Sequence, residues 1–143
     1  MVKITGIYAD SSSFAVLKQI KESNSINDET LKRELIVLYN AYLSAQVDTS
    51  KLNAVIKLQT QIEKKFSNFR TEVKGKKLSD NDVEEILKTS ANSNELKETW
   101  LAQKSIGSIV NQDIIKIVKM RNEIAKELGF ENYHTMSLQL SEQ

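Results

Sequence analysis

The chain has 143 residues with 20 basic and 19 acidic side chains, so no excess of positive charge marks it for nucleic acid or an anionic membrane. It is long enough for a single domain with its own core. Cysteine and proline are absent and glycine occurs four times, which excludes disulfides, thiol chemistry and cysteine-bound zinc and favours long helices.

The first twenty residues have no long apolar core after a basic start, and no stretch of about eighteen apolar residues follows. Neither a signal peptide nor a membrane span is visible, and the compartment stays open. Residues 1–9 are ambiguous. From 11 to 23 the spacing of Phe14, Leu17 and Ile20 predicts a helix, with a serine as N-cap.

A second helix is expected to start near Asn27, with Asn27 as cap and Asp28 and Glu29 at the positive end of the dipole, and to run to about Ala45. Leu31, Leu35, Leu38, Tyr42 and Ala45 lie on one face. After QVDTS, the series Leu52, Val55, Gln59, Ile62, Phe66, Phe69 and Val73 predicts a partner helix of about 25 residues. Together they predict an antiparallel helical hairpin over about 27–74. Gly75 in VKGKK reads as its left-handed stop, with the lysines beside the negative helix end in preference to a phosphate site.

SDND at 79–82 predicts a capped start for a short helix ending near Thr89. SANSN separates it from one long central helix over about 95–128, apolar around much of its circumference, which Gly107 can bend or interrupt and which NQD at 111–113 can restart. Trp100 on that helix reads as core. Arg121 and Glu123 fit either an edge ion pair or a buried polar network. Gly129 closes the helix, and FENYHTMSLQL begins another, with Tyr133, Met136 and Leu140 recurring and Leu138 beside them.

The fold class expected is therefore all-α, an antiparallel bundle of about five to six helices in a single helical domain over 1–143. The chemistry is sparse. His134 is the only histidine, so no two-histidine zinc site can form within one copy, and it reads as a surface or helix-start residue. No nucleophile elbow, glycine-rich phosphate loop or metal-ligand spacing is present. The pair Glu84 and Glu85 reads as a solvated face. No catalytic, metal or substrate residue is assigned.

LKRELIVLYNAYLSAQVD, the SxxxxELxxxW pattern from Ser90 to Trp100, and above all RNEIAKELGFENYH at 121–134 resemble the amino-terminal helical region of zinc metallopeptidases related to angiotensin-converting enzyme. Oligoendopeptidases of the same gluzincin group carry a similar arginine, alanine and leucine-glycine-aromatic element. The likeness covers about 27–143. It implies an all-helical channel in which zinc, held by an HExxH helix and a further glutamate, hydrolyses peptides, usually releasing dipeptides from carboxyl ends. HExxH is absent here.

The resemblance thus implies a non-catalytic amino-terminal portion, channel wall and lid, of a peptidyl-dipeptidase-like enzyme, with no cofactor in this segment and zinc in the full-length enzyme. Its partner would be the remainder of the same polypeptide through Met136, Leu138 and Leu140. The full enzyme would take peptides, with neither nucleic acid nor membrane as partner. A dimer through the same apolar face is a second expectation. The alternative is a freestanding helical interaction module without enzymatic activity.

Overall fold

A computed structural model describes residues 6–141. After a helical turn at 6–8 come α1 (Ser11–Ser23), α2 (Glu29–Ser44), α3 (Thr49–Asn68), β1 (Thr71–Val73), β2 (Lys76–Leu78), α4 (Asp80–Thr89), α5 (Ser93–Lys104), α6 (Ile106–Glu127) and α7 (Tyr133–Leu140). The fold is predominantly all-α, with seven numbered helices among the described residues. None of these is long and apolar enough to cross a membrane. Residues 1–5 of the ambiguous start lie outside the described residues.

Side-chain caps set the helix starts. Asp10 caps α1, its carboxylate accepting from the amide of Ser13 at 2.7 Å, where a serine was expected. Asp28 caps α2 by accepting from Thr30 and Leu31, one residue beyond the expected Asn27. A carboxylate takes two free amides and adds its charge to the positive helix end. Ser79 caps α4 with Asp82 in a reciprocal capping box, as SDND predicts.

Three expected helix features change. The partner helix does not reach Val73: α3 stops at Asn68, and residues 71–78 form a β-hairpin with Thr71 opposite Leu78. Lys74 (φ 52°) and Gly75 (φ 79°) make its two-residue turn, because positive φ at both centres matches the twist of paired strands. Gly75 is left-handed as expected, but in a strand turn. The helix expected over 95–128 is divided at Ser105 into α5 and α6. Seven helices accordingly replace five to six.

The contacts fall into two compact units, 1–55 with 118–143, and 56–117. In the first, α1 packs on α2 and α2 on α7. The Phe14 and Tyr39 rings lie 5.4 Å apart, with the Lys21 ammonium 3.8 Å from the Tyr39 ring centre. Tyr8 meets Tyr42 edge to face at 5.2 Å. Buried Leu43, Val55, Ile124, Ala125 and Met136 form its core.

In the second unit, α4 packs on α5, β1 on α5 and β2 on α4. Its core is Leu58, Leu78, Val83, Val110 and Ile117, with the buried threonines Thr71 and Thr99. Lys65 pairs with Asp113 at 2.5 Å and Lys74 with Glu98 at 2.9 Å.

Candidate functional site

The segment 121–134 folds into a corner between α6 and α7. Helix α6 ends in a Schellman motif: the amide of Phe130 donates to Ala125 O at 2.9 Å and that of Gly129 to Lys126 O at 3.0 Å. Gly129 has φ 88°, a conformation that a side chain would strain. Asn132 then caps α7 by accepting from the amide of Thr135, and Asn122 accepts from the amide of Tyr133 at 2.9 Å. The Arg121 guanidinium lies 5.2 Å from the Tyr133 ring centre, a cation–π stack in the corner.

The segment from Ser90 to Trp100 forms a second corner, within the 56–117 unit. The Ser90 hydroxyl bonds the Glu95 carboxylate at 2.5 Å, and Asn92 caps α5 by accepting from Asn94 and Glu95. The five-residue spacing from Ser90 to Glu95 thus closes the α4–α5 loop. Each corner uses its polar residues to satisfy helix ends.

The other candidates disperse. His134 is exposed in the first turn of α7. Trp100, expected in the core, is 50% exposed with the Lys104 ammonium 5.6 Å from its ring centre; the side of α5 that packs inward carries Thr99 instead, 100° round the helix. Glu84 and Glu85 are exposed, as expected of a solvated face. Among the described residues no group of three histidine, aspartate or glutamate side chains is placed to hold a metal ion.

Met136, Leu138 and Leu140 do not share one face. Met136 is 7% exposed and belongs to the core, Leu140 is half-buried, and Leu138 is 38% exposed. Residues two apart on a helix point roughly 200° apart, so Leu138 alone remains open.

The apolar circumference of α6 divides in the same way. Val110, Ile117 and Ile124 are buried, while Ile109, Ile114, Ile115 and Val118 are exposed. Seven-residue steps keep the buried set on one side; Ile115 lies about opposite, Ile109 and Val118 lie on the flanks, and Ile114, four residues from Val110 and three from Ile117, sits at the edge of the buried side. The sequence pattern shows a helix apolar around much of its circumference, but not which of its apolar residues stay uncovered.

Among the described residues, charge perturbations fall on exposed caps and pairs. Hydrogen bonds from Ser79 hold the Asp82 carboxyl below its ordinary value, and those from Ser13 do the same for Asp10. Hydrogen bonding to Glu127 raises Lys51, and hydrogen bonding to Glu98 raises Lys74. These shifts belong to helix starts and surface pairs rather than to a cleft with opposed acid and base groups.

No curated protein and no solved structure matches the chain. The sequence model of a peptidase family described as angiotensin-converting enzyme matches residues 7–142. That span includes both polar corners and every helix described above. The chain therefore belongs to the angiotensin-converting enzyme family of peptidases.

Proposed function

We propose that the chain is a non-catalytic, amino-terminal helical segment of a zinc-dependent, peptidyl-dipeptidase-like enzyme, contributing channel wall and lid. The supporting observation is the family match over 7–142 in a sequence with one histidine and no HExxH. Zinc and the water-activating glutamate belong to other residues of the enzyme, and no step of peptide hydrolysis runs through this chain. The open apolar side of α6 and Leu138 serve as surface for the remainder of the polypeptide, where burial returns about 25 cal/mol per Å² of apolar area.

The test is peptide hydrolysis by the 143-residue chain with added zinc, together with the coding sequence beyond Gln143. No chelator-sensitive turnover and an HExxH downstream are expected. Zinc-dependent turnover by this chain would overturn the proposal. A stop codon after Gln143 in the native gene would also reject it and leave the freestanding interaction module.

A further inference from the structure

The 56–117 unit carries an open surface depression of about 720 Å³ at the C-terminal end of α3. Apolar Phe69 and Ile109 line it, together with Lys64, Lys65, Arg70 and Asp113. Lys65 donates to the Asp113 carboxylate at 2.5 Å, so those two charges offset each other. The Arg70 Nη1 donates to the carbonyls of Ser67 and Phe69 at 2.9 and 2.6 Å, closing the helix end. A guanidinium has five N–H donors, and the other Arg70 nitrogens have no protein partner among the described residues. Lys64 likewise has no acidic partner among them.

Two cations are left beside an apolar surface. Free carbonyls at a helix C-terminus carry partial negative charge, which disfavours a compact dianion but leaves room for a single negative charge between a lysine and an arginine. The planar guanidinium fork matches a carboxylate in two-point contact. Phe69 also lines a second depression of about 440 Å³ with Phe66 and Ile106, beside the charged Asp80 and Lys104.

The geometry points to a binding site for a small amphipathic carboxylate, its anionic head on Lys64 and Arg70 and its apolar group on Phe69 and Ile109. The end of a peptide and a fatty acid share that chemistry. The site stands apart from the proposed role in a peptidase, because binding needs neither zinc nor turnover.

Backbone amide NMR on the 143-residue chain tests it, with N-acetylphenylalanine, its neutral amide, octanoate and inorganic phosphate as probes. A carboxylate is expected to bind about tenfold more tightly than the amide and the phosphate, with shifts centred on residues 64–70. Whichever acid binds tighter identifies the source. K64Q/R70Q should lose about tenfold in affinity, and K64Q alone, which keeps the Arg70 cap, should lose roughly threefold with an unchanged circular dichroism spectrum. Equal binding of acid and amide, tighter binding of phosphate, absence of binding at millimolar concentration, or binding unaffected by K64Q would each overturn the assignment.

Discussion

The two compact units are closed by different means. The unit of 1–55 and 118–143 joins segments far apart in sequence through a shared core of Leu43, Val55, Ile124, Ala125 and Met136 and through individual polar contacts. Asn40 Nδ2 donates to Gln139 O at 3.4 Å, Gln46 Nε2 donates to Tyr8 O at 3.0 Å, and Lys51 pairs with Glu127. The 56–117 unit is continuous in sequence and is closed by a β-hairpin, two helix caps and a small core. Local closure carries a smaller loop entropy than long-range closure. The 56–117 unit should therefore fold faster, and damage to its core should register there first.

The sharpest way to break that comparison is Leu78→Ala. Leu78 is 5% exposed at the end of β2, and its truncation should cost about 2–5 kcal/mol. Hydrogen exchange should show protection lost first in 56–117; equal loss in both units would remove the distinction. A smaller effect is expected from Gly129→Ala, which forces a side chain into φ 88° at the α6–α7 corner. The cost is about 1–2 kcal/mol and should fall on α7 and its neighbours, read by urea unfolding with site-resolved probes.

The smallest effect sharpens the local side of the comparison. Asp82 has its pKa lowered below the ordinary 3.8 by the Ser79 hydrogen bonds. Its contribution is therefore full above the unfolded value and is lost as pH falls through the lower folded value. Acid titration should fray the start of α4 below about pH 4, and Asp82→Asn should flatten that dependence without altering the first unit. An unchanged acid profile in Asp82→Asn would show that the capping box contributes nothing.

Sequence pattern captured elements whose stabilising partners are near in sequence. Ser79 and Asp82, three residues apart, announce α4 because each satisfies the other's backbone amide. Gly129 announces the end of α6 because left-handed backbone is strained for other residues. The hairpin at 71–78 was obscured because Phe66, Phe69 and Val73 continue a helical three-and-four rhythm. The contrary signal was present in β-branched Thr71 and Val73 just before a Lys-Gly turn.

For the candidate site, the two signature segments were visible from their letters, but their roles as helix corners required the hydrogen bonds of Ser90, Asn92, Asn122 and Asn132. The carboxylate site was not legible at all. Lys64 and Arg70 are separated from Ile109 by about forty residues, and nothing local in either segment indicates that they line one space.

By itself the sequence determined the all-α class, most helix starts and stops, and the family, because capping, glycine geometry and residue order act over a few neighbouring positions. Only the tertiary structure decided which apolar side of α6 is covered, that Trp100 lies outward while Met136 lies inward, and which charges remain without a partner. A helix apolar on two sides satisfies its local preferences in any orientation. The choice between those sides rests on contacts from residues distant in the chain.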